Sequence, residues 1–273
     1  MNFANILNKI ASTDPEFYER VSPRRRMIAN WMPRVGLTAL PLALGSLFNK
    51  AYGRNTDMVS DILNFALKLE MLESRFYEAG LAQPGLIPLH DLSAMQLISA
   101  NETAHRIFVR NTIIAMGAGP ISEPPFDFTA GNGLGTGPFA DVFTNYVTFL
   151  TVSQTLEETG VRAYKGVAPD LMSDNALLQA ALQIHSVEGR HVAMVRKMRH
   201  DNGHTMAKPW VTGAQSGIAS MPTGPTWAGD DNTTQLGISL TSLGISSTTA
   251  TEAFDEPLTR GTVETIVDPF MAS

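Results

Sequence analysis

The sequence predicts an all-α protein: a four-helix bundle with a long crossover between helices two and three, plus extensions at both ends. Three observations carry that prediction. Four long stretches of helical hydrophobic periodicity occupy the middle of the chain. The joins within each half are short, whereas the join between the halves is long and rich in Pro and Gly. The two halves also repeat each other's polar residues at matched offsets.

The first helical pattern runs from Thr56, which suits an N-cap, to Ala79, with Gly80 as a stop signal. The second runs from Asp91 to Ala118 and ends at Gly119-Pro120. The third spans Phe139 to Lys165, and the fourth starts near Ser173 and Asp174 and ends around Arg199, before Asn202-Gly203. All four exceed the usual three turns, which favours a bundle over a layered α/β fold. Each short join makes an antiparallel hairpin. The intervening GPISEPPFDFTAGNGLGTGP can run the height of a bundle and start the second hairpin at the opposite end. Its glycines lack the strand–turn–helix context and the Lys-Ser/Thr of a phosphate loop, so the stretch reads as a crossover.

This divides the chain into an extension, residues 1–55, a bundle, 56–203, and a tail, 204–273, rich in Gly, Ser and Thr with a short helix near Thr259–Val267. The tail fits either a wrapping or a hanging segment. In the extension, Arg24-Arg25-Arg26-Met27-Ile28 precedes an apolar stretch, Val35 to Phe48, too short and too interrupted to span a membrane as a helix. A basic run before an apolar one is the layout of an export signal. The expectation is a twin-arginine-like, periplasmic protein, with membrane association possible through this segment. The alternative is an amphipathic segment packed on a cytoplasmic protein.

Composition excludes several classes of function. With no cysteine there is no disulfide framework, iron–sulfur cluster, thiol nucleophile or cysteine zinc site, so any metal must be held by carboxylate, imidazole, carbonyl or water. A net charge of −6 supplies no broad basic face and argues against a nucleic-acid partner.

Chemistry enters with NETAH, where Glu102 and His105 stand three residues apart. A single E-x-x-H pair is weak. The fourth helix, however, carries VEGRH, with Glu188 and His191 at the same spacing, and there is no third such pair in the chain. Each copy has an isoleucine four residues before the glutamate (Ile98, Ile184) and an arginine five residues after the histidine (Arg110, Arg196). The other two helices repeat as well. LEMLESRFY and LEETGVRAY both place a tyrosine seven residues after a glutamate: Glu70 to Tyr77, and Glu157 to Tyr164. The Glu70–Glu102 and Glu157–Glu188 separations differ by one residue, the mark of a duplicated hairpin.

Residues three, four and seven apart share a helix face. Glu70 therefore lies with Leu63, Ala66, Leu67 and Tyr77, and Glu102 with Met95, Ile98, His105 and Val109. Glu157 lies with Leu150, Ser153, Val161 and Tyr164, and Glu188 with Ala181, Ile184, His191 and Val195. These are mostly apolar stripes. Burying four carboxylates there without cations costs several kcal/mol per charge, whereas two divalent cations neutralise them. Hard oxygen ligands with one imidazole per ion suit iron or manganese.

LNFALKLEMLESRFY, LEETGVRAYKG and the two E-x-x-H motifs resemble those of ferritin-like domain proteins, in the branch that includes plant desiccation-related proteins. The resemblance covers Thr56 to Gly203. It implies that Glu70, Glu102, His105, Glu157, Glu188 and His191 ligate two divalent metal ions, iron first and manganese second. It further implies an oxidase of Fe(II), or a stress enzyme consuming O₂ or peroxide, with a manganese catalase-like activity as one alternative. A metal-clamped or metal-free envelope scaffold is another. A homo-oligomer fits the resemblance, although the bulky extensions argue against a 24-subunit shell.

Around these ligands, Tyr77 and Tyr164 hydrogen-bond and orient the carboxylates, pass electrons, or simply pack in the core. Glu73 is expected beside the ligands or exposed, and His185 as a structurally satisfied histidine. Glu158, about 100° around the helix from Glu157, is expected to be solvated or to bridge the hairpin. Arg110 and Arg196 read as surface charges, and His90, His200 and His204 as residues of helix ends or loops.

Overall fold

The computed structural model describes residues 56–204, 208–218 and 224–272. The arginine-led segment and its apolar stretch lie outside the described residues, as does whatever caps the first helix. Four helices form the body: α1 (Thr56–Leu81), α2 (Leu89–Ala115), α3 (Tyr146–Val167) and α4 (Asn175–Asp201). The tail adds a two-residue antiparallel ribbon, β1 (Thr234–Gln235) with β2 (Ile238–Ser239), and two short helices, α5 (Ser247–Glu252) and α6 (Arg260–Val267). No described helix is long and apolar enough to cross a membrane.

The helix boundaries differ from the sequence expectation by two residues or more at several ends, and three of these have a clear local cause. α1 runs through Gly80 to Leu81, because Gly80 is a packing glycine and not a stop: a Cβ there would overlap the ring of Phe149. α2 ends at Ala115, short of Gly119-Pro120. Gly117 takes the left-handed conformation (φ 79°), its N–H bonds Ile114 O, and the Ala118 N–H bonds Ile113 O, which is the Schellman arrangement. α3 starts at Tyr146 and not Phe139, because the Asn145 side chain accepts the Val147 N–H at 3.0 Å. α4 starts where expected. Asp174 caps it by accepting from the Ala176 and Leu177 N–H groups, and Gly203 (φ 72°) closes it.

Cross-helix contacts fix the directions. Ser74 meets Thr103 and Asn64 meets Gly119, so α1 and α2 are antiparallel. Glu158 meets Arg196 and Val161 meets His185, so α3 and α4 are too. Tyr77 reaches Glu157 while Tyr164 reaches Glu70, which sets α3 antiparallel to α1. α2 and α3 therefore point the same way, and the crossover must climb the whole bundle, as predicted. Halfway, Asp127 accepts from the Thr129 N–H, the Thr129 hydroxyl and the Gly133 and Gly135 N–H groups at 2.6–3.0 Å, gathering the glycine-rich loop around one carboxylate.

The tail wraps the bundle. Leu258 N–H bonds Arg162 O on α3, and its carbonyl lies so close to Gly166 that no Cβ would fit there. The chain end then pairs with the crossover through Asp127 N–H to Phe270 O and Ala272 N–H to Pro125 O. A short helix does form at the expected place, capped by Thr259.

Candidate metal centre

The apolar stripes do turn inward, and they take the four glutamates with them. Met95, Leu67, Leu150 and Ile184 are buried, and Glu70, Glu102, Glu157 and Glu188 have no exposed surface among them. His105 and His191 are buried beside them. All six sequence-predicted ligand residues thus converge near mid-bundle.

Their donor atoms divide into two overlapping groups. Glu70, Glu102, His105 and Glu188 form one; Glu102, Glu157, Glu188 and His191 form the other; within each, the donor atoms lie within 4.8 Å of one another. Opposite ligands on one ion of this kind stand about 4–4.4 Å apart, so each group matches the span of a coordination sphere. Glu102 and Glu188, the glutamates of the two E-x-x-H motifs, belong to both groups. Glu70 and Glu157 belong to one each. On the first side, His105 Nδ1 lies 3.1 Å from Glu188 Oε1 and 3.5 Å from both Glu70 Oε2 and Glu102 Oε2. On the second, His191 Nδ1 lies 2.8 Å from Glu102 Oε1, 3.2 Å from Glu157 Oε2 and 4.0 Å from Glu188 Oε2. The imidazole rings stand 6.2 Å apart.

Apart from His191 Nδ1 with Glu157 Oε2, these atoms, close as they are, are not aligned as hydrogen bonds. Glu70 Oε2, both oxygens of Glu102, both of Glu188 and His105 Nδ1 are buried with no hydrogen-bond partner. Several orphaned atoms in one place are costly unless something they all face takes their lone pairs. The donor set therefore fits two cations.

Two tyrosines brace the outer carboxylates, each from the opposite hairpin. Tyr77 on α1 donates to Glu157 Oε1 at 2.6 Å and accepts from Ser153; Tyr164 on α3 donates to Glu70 Oε1. Both tyrosines therefore hydrogen-bond the carboxylates, one of the roles the sequence left open. Burial, and then the neighbouring glutamate charge, push both phenols well above their ordinary pKa, so they stay donors.

Without metal, imidazolium protons stand in for the cations. Burial would raise the Glu102 pKa, but the close approach of His105 and His191 outweighs it and brings it down to about 2. Burial would lower the two histidines, yet contact with the glutamates raises both, His191 to about 11. Burial lifts Glu70 to about 7 despite His105, and burial with the charge of Glu102 holds Glu188 well above its ordinary range.

Several surrounding residues escaped the sequence reading or depart from it. Asn101 Nδ2 lies 3.1 Å from His191 Nε2. If Nδ1 faces a metal, Nε2 carries the proton and the Asn101 amide must present its oxygen, the reverse orientation. Nothing in the sequence singles out Asn101, whose counterpart in the other half is Val187. Glu158 is buried, not solvated: it bridges the hairpin to Arg196 and accepts from the Trp227 indole. Arg196, expected at the surface, is buried by that contact and by carbonyls of the tail, including Ser216 O at 3.2 Å. Arg110 is exposed as expected. His185 bonds Val161 O at 2.9 Å, a structural role. Glu73 is buried beside the centre but outside both donor groups.

No curated protein matches this chain. A family model described as the ferritin-like domain matches residues 58–201, a little over half of the sequence and all but the outermost residues of the bundle. With that match joined to the crossover topology and the buried carboxylate–imidazole cluster, the chain belongs to the ferritin-like domain family.

Proposed function

We propose that the bundle holds two divalent ions, iron in the first instance, and that the loaded protein oxidises Fe(II) or consumes O₂ or peroxide in protection against stress. The observation that carries this reading is the pair of overlapping donor groups sharing Glu102 and Glu188. Shared carboxylates bring two ions to within about 3.5–4 Å, the separation at which a pair acts on one small oxygen molecule.

Bound iron or manganese would supply electron transfer to O₂ or peroxide; the chain's residues supply everything around it. Glu70 and Glu157 would each hold one ion, oriented by Tyr164 and Tyr77 respectively. His105 and His191 would bind through Nδ1, with Asn101 setting the ring of His191. Met95, Ile98, Leu150 and Ile184 wall the centre in apolar surface and limit water. His105, 9% exposed, is the least buried of the six, so small reactants would enter on that side.

Metal analysis of the protein purified from its native source tests the reading. Close to two Fe or Mn per chain, lost in both Glu102→Ala and His191→Ala, is the expected result. A native protein free of transition metal would refute it and favour the scaffold alternative. Adding Fe(II) with O₂, or peroxide alone, to the loaded protein then separates an oxidase from a catalase-like enzyme.

A further inference from the structure

The duplicated hairpins differ beside the centre at the position one turn after the tyrosine-braced glutamate. Three residues after Glu70 comes Glu73; three residues after Glu157 comes Gly160. The two are physically linked. A Cβ placed on Gly160 would stand 3.0 Å from Glu73 Oε1 and 3.2 Å from Glu188 Oε2, so the missing side chain leaves room for the Glu73 carboxylate beside that of Glu188. Glu73 is 3% exposed, and among the described residues no hydrogen-bond donor or cationic side chain pairs with it. A buried carboxylate with no partner is one of the least favourable groups a fold can carry.

The geometry also says which side Glu73 serves. Glu188 Oε2 is the oxygen turned toward His191, whereas Oε1 is turned toward His105. Glu73 Oε1 and Glu188 Oε2 flank the same bare point over Gly160, on the helix that carries Glu157.

We infer that Glu73 is a fifth carboxylate of the centre, reserved for the ion on the Glu157–His191 side, with Gly160 as the gap that admits it. The inference rests on the two-metal reading above. Glu70, Glu102, Glu157 and Glu188 balance two divalent ions between them; Glu73 adds one negative charge to one side only. The near-symmetric centre thereby holds two unequal ions, and the Glu157–His191 side favours the tighter or more highly charged one.

The test is a titration of the full-length, chelator-stripped protein with Mn(II) by calorimetry, and with Co(II) by its visible absorption. Wild type should bind two ions in steps whose affinities differ by about tenfold or more, and Glu73→Gln should weaken the tighter step by about 10–100-fold while sparing the other. Gly160→Ala should weaken the same step with no donor removed, because its methyl group displaces Glu73 Oε1 and Glu188 Oε2. Two wild-type affinities in Glu73→Gln, or equal weakening of both steps, would each overturn the inference while leaving the two-metal reading intact. A wild-type protein that binds neither ion would overturn both.

Discussion

The two hairpins present the same residues to the centre and opposite surroundings to the outside. Arg75 and Arg162 occupy equivalent positions, each five residues after its ligand glutamate. Arg75 sits at the surface, its side chain 37% exposed, paired with Glu78 and Glu123. Arg162 is buried under the tail, donating to the carbonyls of Thr226, Ala228 and Glu256 and paired with Asp230 at 3.3 Å. The histidine helices repeat the contrast, with Arg110 in solvent and Arg196 buried against Glu158. Every residue of α3 from Phe149 to Tyr164 is buried, whereas its counterpart α1 keeps half-buried positions at Lys68, Arg75 and Glu78. Duplication kept the inner face alike because the cluster needs both halves. The outer faces diverged where the tail buries Arg162 and Arg196 of the second hairpin; on the first hairpin it meets Phe65 and Lys68.

The largest expected effect tests that contrast directly. Arg162→Ala should cost about 3–5 kcal/mol in urea unfolding, because it leaves Asp230 buried without its cation. Arg75→Ala should cost less than about 1 kcal/mol, as exposed pairs do. Similar losses at both positions would break the distinction between a tail-covered and an open arginine.

A second comparison lies within the centre, between shared and one-sided donors. Glu102→Ala should weaken both metal-binding steps, by about 100-fold or more, and Glu70→Ala only one of them. Isothermal titration with Mn(II) reads the difference. Two variants that lose the same step would remove Glu102 from its bridging position.

The smallest effect concerns pH and the protein without metal. The raised histidines stabilise the fold fully below their unfolded pKa, and that contribution fades as pH climbs through the folded value, about 11 for His191. Glu70, raised to about 7, and Glu188 act in the same direction, since ionising them in the fold costs stability as pH rises above the ordinary carboxylate range. Glu102 opposes them only in acid, where its stabilisation is lost as pH falls toward about 2. Melting temperatures in chelator should therefore fall by about 5 °C or more between mildly acidic and alkaline pH. Mn(II)-loaded protein should lose less, because metal in place of imidazolium protons needs those protons gone. A metal-free protein that grows more stable with rising pH would show that the histidines do not stand in for cations.

The inward turn of the site was legible because it is local. An E-x-x-H pair and an L-E…Y pair each lie on one helical face whatever the fold, and their repetition at matched offsets signalled a shared target. The crossover was legible from its length and its Pro/Gly content. Less was legible at the helix ends. Gly80 and Gly117 are the same residue type, yet one admits a phenyl ring and the other closes a helix. Arg196 and Glu158 had no local sign of burial, since their cover comes from residues 208–256, distant in sequence.

The sequence by itself determined four long amphipathic helices, their pairing into hairpins and the six donors on their inner faces. All of these follow from helical periodicity, a property of neighbouring residues. Only the tertiary structure decided that Glu102 and Glu188 are common to both donor groups, that each tyrosine braces the carboxylate of the opposite hairpin, and that Glu73 fits where Gly160 is bare. It also decided that the tail buries Arg162 and Arg196 while Arg75 and Arg110 stay near solvent. Those outcomes depend on which side chains meet across helices far apart in the chain, and helical periodicity carries no record of that.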